Sequence, residues 1–186
     1  MHEGAAPTPA AAPAMPRGLW IASFLVWGAV LAWHVGVSWF LCDDAFITFR
    51  YARNLLAGHG AVFNRGEAVE GYTNFLWLLE LAGAWRLGLR PELAAHVLSL
   101  ACTLGTVLLV IASALGTPHA RRRTIAWLAA GIVCASASFG VWSTSGLETR
   151  QFTFLVVLGA FLVGAGGAGA ARLCAASFVF AAAALT

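Results

Sequence analysis

Lysine is absent from the 186 residues, so all eleven cations are arginines, and the eight carboxylates are almost as scarce. Charged residues make up 10% of the chain, whereas an ordinary soluble domain carries about 25%. That shortage excludes a conventional solvated surface. The net charge is only +3, and the arginines are scattered or stand at the ends of apolar runs. A nucleic-acid partner is excluded on the same ground, because it needs cations clustered on one solvated face. Proline is nearly confined to the start, with four of six in the first sixteen positions. Cys42, Cys102, Cys134 and Cys174 show no CxxC spacing, and three lie inside apolar runs. They read as small packing residues and give no ground for a disulfide framework or a zinc site.

What remains is apolar: 60% of the chain is hydrophobic, with eight Trp and twelve Phe. Residues 1–17 are rich in Ala and Pro and predict a disordered cytoplasmic tail. Residues 18–41 then run for 24 positions without a formal charge, enough to cross a hydrocarbon core of roughly 30 Å. The run exceeds a signal-peptide core and no small-x-small site follows it, so it predicts a signal anchor.

From residue 42 to 91 the composition changes. With Glu92 at its edge, this stretch holds six of the eight acids and five arginines. Gly58, Gly60, Gly66 and Gly71, around His59 and Asn64, predict turns. Residues 45–57 predict an amphipathic surface helix, with Phe46, Phe49, Ala52 and Leu56 on one side and Arg50, Arg53 and Asn54 towards another. Residues 74–89 are apolar but short, and Glu80 and Arg86 interrupt them, which favours a juxtamembrane helix over a span. Clearer spans follow at 93–116, 124–142, 152–164 and 173–186. Placing Arg17, Arg121–Arg123 and Arg172 in the cytoplasm satisfies the positive-inside preference. It sets the 42–91 loop and residues 143–150 together outside, gathering Asp43, Asp44, Glu70 and Glu148 on one face. The last apolar run has no polar stop, so the chain is expected to be the N-terminal part of a larger protein, inactive by itself.

Several residues have both a structural and a chemical reading. Asp43 and Asp44 suit a helix N-terminus, yet two adjacent carboxylates at a membrane interface are functional candidates, as a general base or as holders of a divalent cation. Glu148 lies in Ser143-Thr144-Ser145-Gly146-Leu147-Glu148-Thr149, either in a solvated turn or as a first-turn acid of the helix from Thr149, where Arg150 could pair with it. Arg50, Arg53 and Arg65 can meet phosphate through forked N–H donors or serve as a solvated face. Asn64, Glu70, Tyr72, Thr73 and Asn74 form a polar cluster in which Thr73 is the natural cap of the following helix.

Three stretches carry a likeness to a known group: Asp43-Asp44-Ala45-Phe46-Ile47-Thr48-Phe49-Arg50-Tyr51-Ala52-Arg53-Asn54-Leu55, then Gly58-His59-Gly60-Ala61-Val62-Phe63-Asn64 with Glu70-Gly71-Tyr72-Thr73-Asn74-Phe75-Leu76-Trp77, and Ser145-Gly146-Leu147-Glu148-Thr149. In this order they resemble the GT-C superfamily of multi-span glycosyltransferases, and within it bacterial members related to terminal arabinofuranosyltransferases of cell-wall assembly. The resemblance implies an all-α, polytopic helix bundle with juxtamembrane helices in the first outer loop. It implies a multi-pass protein of the bacterial inner (plasma) membrane, N-terminus inside and active site outward. A sugar would pass with inversion from a polyprenyl-phosphate donor to a cell-envelope glycan, lipid or protein acceptor. Carried over, Asp43 is the general base, with Asp44 and Glu148 as supporting acids. Arg50, Arg53, Tyr72 and Asn74 are candidates for donor and phosphate binding, Asn64 and Glu70 for the acceptor pocket. No definite cofactor is implied; Asp43, Asp44 and Glu148 could hold a divalent cation. A polytopic transporter or lipid-handling protein is the competing class and would be expected to break its spans at the midplane.

Overall fold

The computed structural model describes residues 16–67, 69–115, 120–164 and 169–186, apart from the side chains of residues 17, 114 and 120. The expected tail lies almost wholly outside the described residues. Every regular element among them is helical: α1 (Arg17–Val37), α2 (Asp43–Leu56), α3 (Phe75–Arg86), α4 (Pro91–Leu115), α5 (Ala120–Ala135), α6 (Ala137–Val141), α7 (Thr149–Gly164) and α8 (Ala170–Ala184). Two segments are long and apolar enough to cross a membrane, Gly18–Val37 in α1 and Pro91–Ser113 in α4; α7 and α8 are shorter apolar helices.

α4 is the central post. It packs on α3, α5 and α7, while α8 covers α7, α1 lies on α5 and α6, and α2 pairs with α3. Trp77, Leu81, Ala94 and Ala95 are buried with Ala45 and Phe49 where α2, α3 and α4 meet. A second cluster joins Val107, Cys134 and Phe139, with Trp27 and Leu31 of α1 against it. Glycine permits the close approach of α4 and α7: a methyl on Gly105 would lie 2.6 Å from the Phe154 ring.

Two expectations need correction. The predicted 124–142 span is interrupted at Ser136, which caps α6 by accepting from the Phe139 N–H. A hydroxyl there offers the backbone an alternative to continuing the helix. The face of α2 is also rotated. Ala45, Thr48, Phe49, Tyr51, Ala52 and Asn54 are buried, whereas Phe46 is 50% exposed. Asn54 enters the buried face because its amide Nδ2 donates to the carbonyls of Val62 and Phe63 at 2.8 and 3.0 Å. Those bonds offset its desolvation, which a hydropathy pattern does not register.

Candidate active site

The segment between α6 and α7 is the keystone of the site. Ser143, Thr144 and Ser145 are completely buried, in a protein whose other buried surface is mostly apolar. Their hydroxyls are all satisfied: Ser143 Oγ donates to Phe139 O at 2.7 Å and Ser145 Oγ to Trp142 O at 3.3 Å within the segment's own surroundings, and Thr144 Oγ1 to the distant Ser38 O at 2.7 Å. Backbone groups then tie the segment to its neighbours. The Cys42 N–H donates to Ser145 O at 2.8 Å, and the Trp77 indole donates to Gly146 O at 3.2 Å. Gly146 adopts φ +83°, and a methyl there would lie 2.6 Å from Leu41 Cδ2 and 3.0 Å from the Ala45 methyl. Only glycine supplies that backbone conformation together with that closeness.

Glu148, at the end of this segment, accepts from Asn74 Nδ2 at 2.8 Å. The same amide donates to Thr48 Oγ1 at 3.2 Å. One asparagine thus clasps α2, the start of α3 and the 143–148 segment. Asn74, not the expected Thr73, stands at the cap position of α3, and its side chain makes no capping hydrogen bond. Its carbonyl Oδ1 is buried with no partner, an omission that costs about 1–3 kcal/mol.

Asp43 and Asp44 open α2, both exposed. Cys42 occupies the cap position, and no side chain makes a capping bond there. The acids therefore occupy the first helical turn without serving as its cap. Helical phase separates them. Asp44 lies one turn before Thr48, on the side where Asn74 and Glu148 meet, whereas Asp43 leads an exposed stripe continued by Phe46, Ile47, Arg50 and Arg53. Among the described residues no group of three or more His, Cys, Asp or Glu is close enough to hold a metal ion, so the three acids form no ready cation cage.

The other expected residues fall into two further groups. Glu70 and Tyr72 line an open cavity of about 740 Å³ with Gly71, Thr73, Phe75 and Leu185; Tyr72 and Phe75 stack with centroids 6.1 Å apart. Arg50, Arg53 and Asn64 lie at the opposite end of α2. Arg50 donates from Nε to Phe63 O at 2.8 Å and from Nη2 to Asn64 Oδ1 at 2.6 Å, with its guanidinium 4.2 Å over the Phe63 ring. Asn64 passes the chain of bonds on to Glu67 at 3.0 Å.

Sequence reasoning missed Tyr51, Thr48, Trp77 and the Glu80–Gln151 pair. The Tyr51 hydroxyl donates to Val69 O and accepts from the Gly71 N–H, both at 2.9 Å, which pins the chain before Asn74. Gln151 Nε2 donates to both carboxylate oxygens of Glu80 at 2.7 Å, and burial pushes the Glu80 carboxyl above the usual range, the Gln151 bond partly opposing it. The spacing of Thr48 four residues after Asp44 is a signal that could have found Thr48.

The chain is 38% identical over 136 residues to a terminal β-(1→2)-arabinofuranosyltransferase of Mycobacterium tuberculosis, covering 67% of this chain and 22% of that protein. It is 36% identical over 129 residues to the Corynebacterium glutamicum protein of the same name, covering 65% of this chain and 18% of the relative. The chain therefore spans about a fifth of the length of the curated relatives it matches. No family model and no solved structure matches it. The resemblance read from the motifs is thus found: two thirds of the chain is homologous to arabinofuranosyltransferases.

Proposed function

We propose that this chain forms part of the active site of a polytopic membrane arabinofuranosyltransferase, which takes its sugar from a polyprenyl-phosphate donor and passes it to a cell-envelope acceptor on the outer face of the plasma membrane. One observation beyond the homology carries this reading. The three stretches that bear the family likeness, far apart in sequence, are joined by the Asn74–Thr48, Trp77–Gly146 and Asn74–Glu148 hydrogen bonds.

The acceptor hydroxyl gives its proton to a carboxylate of the acidic pair as its oxygen forms the new bond to the anomeric carbon. The bond from that carbon to the phosphate oxygen breaks on the opposite side, and polyprenyl phosphate leaves with the electron pair. Attack and departure on opposite faces invert the anomeric centre. Asp43 is the base by resemblance, with Asp44 and Glu148 as supporting acids. The phase of α2 favours Asp44 as the second candidate, since it lies on the side of Thr48 and Glu148. The idea that Arg50 and Arg53 hold the donor phosphate meets a geometric obstacle. Seven and ten residues from Asp43 put them about 10 and 15 Å along the helix, yet the donor phosphate is bonded directly to the reacting carbon. The transporter alternative gains little from the break at Ser136, because that hydroxyl is used as a cap and the acids lie elsewhere.

The test is transfer of label from a polyprenyl-phosphate arabinose in membranes, comparing the parent with Asp43→Asn, Asp44→Asn and Glu148→Gln. Loss of the base should lower the rate about 10²–10⁴-fold with the protein still folded. Collapse in Asp43→Asn supports the leading reading, and collapse in Asp44→Asn alone moves the base one residue along. Normal turnover in both removes it from the pair.

A further inference from the structure

A cavity of about 320 Å³ at the C-terminal end of α2 is lined by Arg50, Arg53, Asn54, Ala57, Phe63 and Arg65. Three of the eleven cations of the chain thus face one small space whose lining contains no acid. Arg50 is fixed there by its bonds to Phe63 and Asn64 and by stacking on the Phe63 ring. The nearest acid in sequence, Glu67, accepts from the far side of Asn64 and is outside the lining. Like charges gathered without a counter-charge repel one another, and an anion shared between them removes that cost. Guanidinium forks match the oxygens of a phosphate.

The exposed stripe of α2 says where that phosphate comes from. Phe46 and Ile47, 50% and 38% exposed, precede Arg50 and Arg53 on the same side of the helix, Arg50 about one turn beyond them and Arg53 about one turn beyond Arg50. A stripe of aromatic and aliphatic residues continued by arginine suits a helix lying in the headgroup layer, its apolar side chains dipping towards the acyl chains and its cations at phosphate level. The cavity's arginines Arg50 and Arg53 lie about 10 and 15 Å along α2 from Asp43, beyond the phosphate of a donor whose sugar is reacting at the acidic pair.

We propose that the Arg50, Arg53 and Arg65 cavity binds the phosphate headgroup of an anionic bilayer phospholipid and so fixes α2, and with it Asp43 and Asp44, at headgroup depth. The proposal stands on the cavity and the stripe of α2 and does not require the transferase reading. Arg53 and Arg65 are the residues to change, because both are exposed and Arg50 also braces the loop.

The experiment is native mass spectrometry of the detergent-purified chain titrated separately with dioctanoyl phosphatidylglycerol, dioctanoyl phosphatidylcholine and farnesyl phosphate. The parent should prefer phosphatidylglycerol over phosphatidylcholine. The double variant Arg53→Gln/Arg65→Gln should bind phosphatidylglycerol at least about tenfold more weakly and keep its affinity for farnesyl phosphate and its thermal unfolding midpoint. The equally charge-depleted Arg121→Gln/Arg122→Gln should keep the parent affinity. Equal weakening in the two double variants would reduce the effect to net charge and overturn the site. Loss of farnesyl phosphate binding with phosphatidylglycerol unaffected would give the cavity to a prenyl phosphate and overturn the proposed occupant.

Discussion

The first helix and the 143–148 segment are built on opposite principles. In α1, Leu19, Ile21, Leu25, Val26, Trp33 and Val37 are all exposed, and its contact with α5 is a strip of rings: Trp127 lies 5.9 Å from Trp20 and 4.8 Å from Trp27, with one bond from the Trp127 indole to Ser23 at 3.0 Å. The 143–148 segment instead buries serine and threonine completely and uses directional bonds to four other places in the chain. Apolar surface facing lipid tolerates many shapes, because contact is non-directional. Buried polar backbone tolerates few, because each donor and acceptor needs its partner. Chemistry is expected where geometry is held most closely, and Glu148 is there.

Glycine offers the sharpest way to break this contrast. Gly146→Ala puts a methyl at a positive φ and against Leu41 and Ala45, so it should cost about 2–5 kcal/mol, read as a lowered thermal unfolding midpoint in detergent. A midpoint matching the parent would mean that the segment is as forgiving as α1.

Glu80 gives a smaller effect with a definite sign. Burial raises its carboxyl above the usual range, so its contribution to stability is complete below the unfolded-state value and is lost as pH rises through the folded-state value. Glu80→Gln, which keeps an acceptor for Gln151 but never ionises, should flatten that dependence. Its unfolding midpoint relative to the parent should therefore improve between about pH 5 and about pH 8. A constant difference across that range would show that the carboxylate is not penalised by burial.

The smallest change belongs to α1. No atom approaches within 4 Å of a methyl built on Gly28, so Gly28→Ala should be neutral or stabilise the helix by about 0.5–1 kcal/mol. Clear destabilisation on thermal unfolding would place a packing partner on a face described here as open.

The sequence made the helical content and the apolar runs legible, because hydropathy over some twenty residues is a strong signal; α1 and α4 fall within a few residues of their expected bounds. The break at Ser136 escaped it, since a single serine leaves the hydropathy of its surroundings unchanged. So did the rotation of α2, because Asn54 looks solvent-facing until its bonds to residues 62 and 63 are known. Among candidate site residues, Asp43, Asp44, Glu148 and Asn74 were legible as unusual polar groups beside apolar runs. Pattern could not separate Asn64, Arg50 and Arg53, which gather around the C-terminal half of α2, from Glu70 and Tyr72. Nor could it foresee that Asn74 would hold Glu148, a pairing 74 residues apart.

The 143–148 segment also acts as a ruler. Ser145, Gly146 and Glu148 are pegs set against Cys42, Trp77 and Asn74, three fixed points at the starts of α2 and α3. A residue inserted or removed between the first peg and the last cannot be absorbed by sliding, since restoring one match displaces another. Surface loops drift freely in length, but this one is a short connection whose residue count is itself part of the design, and its spacing should stay constant wherever the three partners do.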